Sequence, residues 1–150
     1  MTFLEYIEGK KPVVTIDFDH TLRFETGKPN TATIAHYISI VEGDNEDYNY
    51  LQDNDLYVVT SRYENDKNKQ LIEQFLKSSG IKAKKVVFTN GKLKLDTLKE
   101  MGSILHYEDD SDDIKLIKSH NKHHPEQYID VIDTFNEQAW KEYEDNDYDD

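Results

Sequence analysis

Val13–Thr21 reads VVTIDFDHT, an apolar, β-branched run that closes on two aspartates two residues apart. Such a run has the composition of a buried strand, taken here as Val13–Phe18. Three more runs share that character: Leu56–Thr60, Val86–Thr89 and Ile104–Glu108. Helical patterns separate them. Ile34, Tyr37, Ile38 and Val41 keep the spacing of one helix face, with Asn30 or Thr31 after Pro29 available to cap it. Leu71, Ile72, Phe75 and Leu76 form the next face, which stops at Gly80. A short helix, Leu95–Met101, turns Leu98 inward and ends at Gly102, and Asp112–Ser119 reads as a fourth helix. Strands alternating with helices of these lengths imply βαβ crossovers, and hence an α/β fold: a three-layer sandwich whose Rossmann-like sheet is mainly parallel.

After the fourth helix, HNKHHPEQ reads as a polar surface loop, with His120, His123 and His124 solvated rather than aimed at a shared metal. Tyr128–Ile132 is expected to be a fifth strand, the alternative being a helix that runs on through Phe135 and Ala139. With the strand, Phe135–Tyr143 becomes a closing helix whose Phe135 and Trp140 make core or edge contacts. The expected domain is residues 1–141, followed by an acidic, disordered tail over residues 142–150.

A chain of 150 residues has room for one domain. No apolar run approaches the roughly 18 residues of a membrane span, and the first residues carry glutamates rather than a basic then apolar leader. The absence of cysteine excludes disulfides and thiolate metal sites, and a cytoplasmic, membrane-free location is expected. The net charge of −13 opposes nucleic-acid and membrane binding unless positive charge is gathered locally. Lys77, Lys82, Lys84, Lys85, Lys92, Lys94 and Lys99 are such a gathering, read either as solvated helix ends or as a rim for anionic substrates. The tyrosines of the acidic loop DYNYL read mainly as packing or solvated residues, with base stacking as the alternative.

Open α/β sheets bind ligands outside the carboxyl ends of their strands. The residues at those ends are Asp17 and Asp19, then Thr60 and Arg62, then Asp109 and Asp110, with Lys94 a few residues past the third strand. Together they suit a phosphate and a divalent cation. Asp17 can attack phosphorus and hold one face of a Mg2+ ion, whose hard character calls for oxygen ligands. Asp19 can protonate the leaving oxygen and later activate water. The Thr60 hydroxyl and the Ser61 backbone N–H can bind phosphoryl oxygens, and Lys94 can offset the crowded negative charge. Asp109 completes the metal site, with Asp110 as a second ligand or orienting partner and Glu108 or Asp113 as alternatives in register.

The order DFDHT, VVTSR, Lys94 in KLDTLKEMG, then HYEDD resembles the four motifs of haloacid dehalogenase superfamily phosphatases, over roughly residues 12–114. The resemblance implies that Asp17 is a nucleophile and Asp19 a general acid and base. It also implies a cation held by the Asp17 side chain, the Asp19 carbonyl and Asp109. It favours Lys94 over the neighbouring Lys92, and it makes His20–Lys28 a turn and β-hairpin flap. Phe24–Asp55 leaves room for little more than a minimal cap, hence an open site. Arg62 in TSR resembles nucleotidases and polynucleotide 3′-phosphatase domains, in which a guanidinium can fork onto phosphate. The expected activity is therefore hydrolysis of a phosphomonoester through an aspartyl phosphate. The expected substrate is a nucleotide or a nucleic-acid terminal phosphate, with a non-nucleotide metabolite as the alternative. A non-catalytic protein that captures phosphorylated ligands on the same fold is the reading from another class. Receiver domains use similar residues in a different order, and no P-loop or dinucleotide-binding glycine motif is present.

Overall fold

The computed structural model describes residues 9–135. Five strands form one all-parallel sheet: β1 (Val13–Ile16), β2 (Asp55–Thr60), β3 (Lys85–Phe88), β4 (Ser103–Glu108) and β5 (Asp130–Asp133). Their order is β3-β2-β1-β4-β5. The chain winds outward from β1 to β3, then returns to the other side of β1 for β4, so the topological switch lies between β1 and β4. Four helices make the crossovers: α1 (Thr31–Val41), α2 (Asp66–Ser79), α3 (Leu95–Met101) and α4 (Ser111–His123). This is the expected α/β sandwich, and the fifth run is a strand.

The alternation of side chains along parallel strands builds two cores. Val14, Ile16, Val58, Leu105 and Tyr107 pack with Ile40 of α1 and Ile72, Phe75 and Leu76 of α2. Val59, next to Val58, instead joins Leu98 of α3 and Ile117 of α4 on the other face. On that second face the middle of the sheet is polar: Thr15 bonds to His106 across β1 and β4, at 2.7 Å. Asp17 and Glu108 lie one step further along the same alternation.

Helix ends follow local chemistry. The Asn30 side chain caps α1, and Asn65 accepts the Asn68 N–H at 2.8 Å to cap α2. Gly80 closes α2 with φ +71, a left-handed conformation that costs glycine little.

Several sequence expectations need correction. Ile38 and Val41 are 41% and 43% exposed. The inward residues of α1 are instead Thr33 and Ile40, because the helix sits rotated so that Ile34 and Tyr37 reach the core only at its margin. HNKHH is not a loop but the last turns of α4, and His120 is buried, with Nε2 against the Gln127 carbonyl at 2.8 Å. A 3-10 turn, Pro125–Gln127, makes the connection that had been assigned to the histidines. Phe135 is 68% exposed rather than packed. The rest of the expected closing helix, including Trp140, and the expected acidic tail fall outside the described residues.

The lysine-rich stretch does not form one rim. Lys84 and Lys85 lie at the amino end of β3, opposite the site, and Lys84 pairs with Asp55 at 3.3 Å. Lys77 and Lys99 sit in the last turns of α2 and α3, which run back to that same end. Lys94 is buried, so only Lys92 of the group is both exposed and at the carboxyl end of β3.

Candidate active site

β1 delivers Asp17 at the topological switch, and β4 delivers Glu108 and Asp109 beside it. Carboxylate oxygens from these three residues all lie within 4.8 Å of one another. Lys94, 2% exposed at the start of α3, reaches into the group. Its Nζ donates to Asp17 Oδ1 at 2.9 Å and to Glu108 Oε1 at 2.8 Å, and stands 3.7 Å from Asp113 Oδ2. The backbone of Lys94 is anchored as well, its N–H donating to Asp113 Oδ1 at 2.8 Å. Lys92 is exposed, and of the two lysines it is Lys94 that contacts the carboxylates.

The other oxygen of Asp17 belongs to Thr21. Thr21 Oγ1 lies 3.1 Å from Asp17 Oδ2 and 3.2 Å from Asp109 Oδ1, so one hydroxyl ties the two carboxylates together. A sharp turn makes this possible: His20 has φ +63, a left-handed conformation uncommon outside glycine, and its N–H donates to the Arg23 carbonyl at 2.8 Å. The flap that follows is small, held by a bridge between Arg23 and Pro29 and by the Phe24 N–H on the Lys28 carbonyl.

Electrostatics reflect three carboxylates sharing one ammonium. Burial, reinforced by Glu108, pushes Asp17 up to about 7. Burial likewise pushes Glu108 up to about 7, and burial with the adjacent Asp17 does the same for Asp109. Burial alone would make Lys94 easier to deprotonate, but the charges of Asp17 and Glu108 outweigh it and hold the ammonium above the ordinary lysine range.

Behind Glu108 lies a fully buried chain of polar groups. His106 Nε2 meets Glu108 Oε1 at 2.8 Å, and its Nδ1 meets Thr15 Oγ1, which in turn meets Ser103 Oγ at 2.7 Å. Burial, with the Lys94 charge nearby, pushes the imidazole down to about 3, so it is neutral. A neutral ring that donates from Nε2 to the carboxylate accepts at Nδ1 from the threonine, which orders the whole chain.

Asp19 stands apart from the carboxylate group. Arg62 forks onto it, Nε to Oδ2 and Nη2 to Oδ1, both at 2.8 Å. Arg62 Nη1 donates to Asn68 Oδ1 at 2.8 Å, and the guanidinium lies 5.7 Å over the Phe18 ring. The fork that the sequence assigned to phosphate is thus engaged with the second aspartate. Thr60 is buried and accepts the Arg62 N–H at 3.2 Å, which leaves its own hydroxyl proton to donate; Ser61 is exposed beside it. Asp110 uses Oδ1 to cap α4, accepting from the Asp112 and Asp113 N–H groups at 2.9 and 3.0 Å. It is Glu108, not Asp110, whose carboxylate joins Asp17 and Asp109.

Of the residues singled out in the sequence, Asp17, Lys94 and Asp109 come together, with Asp19 and Arg62 paired alongside. Glu108 and Asp113, the alternatives in register, also lie against Lys94, while Thr21, His106 and Asn68 are not among the residues the sequence singles out. Thr21 had a signal, because it completes DFDHT four residues after Asp17; His106 had none, since an alternating strand position does not announce a polar partner on the neighbouring strand. No protein-family model, curated protein or solved structure matches this chain.

Proposed function

We propose that this chain is a Mg2+-dependent phosphomonoester hydrolase that works through an aspartyl phosphate on Asp17, acting on a nucleotide or a nucleic-acid terminal phosphate. The observation that carries the reading is the double clamp on Asp17: Lys94 on one oxygen and Thr21 on the other, beside Glu108 and Asp109. A buried carboxylate held in one rotamer by a cation and a hydroxyl is oriented for attack, and the adjacent ammonium favours its ionised form.

The donor set fits magnesium. It is oxygen only, it carries more negative charge than Lys94 neutralises, and Asp17 and Asp109 are already bridged through Thr21. Asp17 and Asp109 would hold the ion, with Glu108 within reach. Bound there, the cation offsets the carboxylate charge and stabilises the charge that develops on the phosphoryl oxygens.

The chain's own residues supply the rest. The Asp17 carboxylate attacks phosphorus as the ester P–O bond breaks; Asp19, which takes a proton from solvent on the oxygen that one arm of the Arg62 fork releases while the other arm stays bound, gives that proton to the departing oxygen. Asp19 then takes a proton from water, which attacks the phosphorus of the aspartyl phosphate, releasing phosphate and restoring Asp17. The Thr60 hydroxyl donates to a phosphoryl oxygen, and Arg62 fixes the direction from which Asp19 acts.

Purified parent and Asp17→Asn proteins, assayed with p-nitrophenyl phosphate, nucleoside monophosphates and 3′-phosphorylated oligonucleotides, test this. Magnesium-dependent release of phosphate by the parent alone is expected. Tight phosphate-ester binding without turnover by either protein would favour the ligand-capturing alternative instead.

A further inference from the structure

We infer that the groove between Arg23 and one face of α2 binds the phosphodiester backbone of a nucleic-acid strand whose terminal phosphate enters at Asp17. The inference rests on the hydrolase reading above and selects the nucleic-acid end within it.

The groove has a volume of about 730 Å3 and is lined by Arg23 and, on α2, by Lys67, Gln70, Gln74 and Ser78, with Leu71 and Phe75 as its apolar floor. Those α2 positions recur at helical spacing and make one stripe along the helix. The lining holds two cations, two amides and a hydroxyl, and no carboxylate, in a chain with 31 acidic residues against 18 basic ones. Among the described residues, the side chains of Arg23 and Lys67 enter no ion pair or hydrogen bond, although Lys69, on the same helix, is paired with Glu64. Two unmatched cations facing a shared, acid-free groove suit a ligand that carries repeated negative charge.

The groove's lining is joined to the residues around Asp19 by direct contacts. Arg23 bridges to Asp19 through the backbone, and its carbonyl accepts the His20 N–H. Phe75 packs edge-on against Phe18 with ring centroids 5.4 Å apart, and Phe18 also underlies the Arg62 guanidinium. Asn68, which holds Arg62, is the neighbour of Lys67. The groove therefore starts one contact away from the side chains that hold Asp19 and leads away along α2. From Lys67 to Ser78 the helix rises about 17 Å, whereas one strand of duplex DNA advances about 3.4 Å along the axis per phosphate, so a mononucleotide cannot span it and a short strand can. Phe75 is buried and offers no free ring face, so the groove reads backbone charge rather than base identity.

Fluorescence anisotropy of the full-length Asp17→Asn chain, with labelled 3′-phosphorylated di-, tetra- and octanucleotides, tests the proposal without requiring turnover. The parent chain in EDTA provides the same comparison should that variant not fold. Affinity should rise at least tenfold from dinucleotide to octanucleotide, with no base preference. Two neutralised phosphates give a slope of about −1.4 in log affinity against log salt. Arg23→Ala with Lys67→Ala should abolish the gain with length, while the same pair of changes in the active chain leaves p-nitrophenyl phosphate turnover unaltered. Equal affinity at all three lengths, an unaffected double variant, or equally tight binding of an acidic phosphopeptide of matched charge would overturn it. Failure of the parent to turn over p-nitrophenyl phosphate would strike the hydrolase reading instead, because the binding data stand apart from it.

Discussion

Arg62 and Asp19 are joined by a bidentate pair, two nitrogens to two oxygens at 2.8 Å each, with Asn68 fixing the far side of the guanidinium. The planar fork of arginine makes this a directional contact that a lysine ammonium cannot reproduce. Arg62→Lys is therefore expected to lower kcat on a small ester by about 10- to 100-fold, with a smaller change in KM, a part of the roughly 100- to 10,000-fold that general acid–base catalysis contributes. Steady-state kinetics that separate kcat from KM check it. A change confined to KM would return Arg62 to direct phosphate binding.

Lys94 is the only ammonium among Asp17, Glu108 and Asp113, and it is buried with them. Removing one partner of a buried ionic group typically costs about 3–5 kcal/mol, because the remaining charges stay behind unpaired. Lys94→Met should show a loss of that order in denaturant unfolding, together with loss of turnover. Lys92→Met, at an exposed position, should stay within about 0.5 kcal/mol of the parent.

The carboxylates of Asp17, Glu108 and Asp109 are each pushed up to about 7, above their ordinary values of 3.8, 4.5 and 3.8. Between those limits the folded chain holds more protons than the unfolded one, so the metal-free protein loses stability as pH rises from about 4 to about 7. Magnesium binds the deprotonated carboxylates and opposes that loss. Thermal unfolding should therefore show a larger Mg2+-induced rise in Tm at about pH 8 than at about pH 5. Asp17→Asn should weaken both the pH trend and the metal effect.

Asp110 and Asp109 are neighbours with different work to do. Asp110→Ala removes the cap of α4 and should cost about 1 kcal/mol while leaving Mg2+ affinity nearly unchanged. Asp109→Asn should weaken Mg2+ binding at least tenfold with a smaller effect on stability. Calorimetric titration of the two variants distinguishes them, and the reverse ranking would make Asp110 the metal ligand.

Much of this was written in local sequence. The strands declared themselves because buried parallel strands need continuous β-branched runs, and VVTID, LYVVT and ILHYE supply them. Asp17, Asp19 and Asp109 could be placed because strand ends converge at a topological switch. What sequence could not supply was the assignment of partners across the sheet. DFDHT and TSR do not say that Arg62 folds back onto Asp19, and HYEDD does not say that Glu108 turns inward to Lys94 while Asp110 turns outward to cap a helix. The rotation of α1 was misread for a related reason. Ile34, Ile38 and Val41 form a helical stripe, but the neighbouring Ile40 and Thr33 make another, and only packing against Tyr107 and its surroundings chooses between them. His120 was read as solvated because a run of histidines and lysines is polar, although its helix carries it against the Gln127 carbonyl.

The nucleophilic role of Asp17 is tested most directly by transient labelling. Parent protein mixed with a 32P-phosphate ester and Mg2+, then quenched in acid within a turnover, should carry label on the peptide that contains Asp17. That label should be released by hydroxylamine and absent from Asp17→Asn. Full turnover with no label on that peptide, or undiminished turnover in Asp17→Asn, would contradict the account.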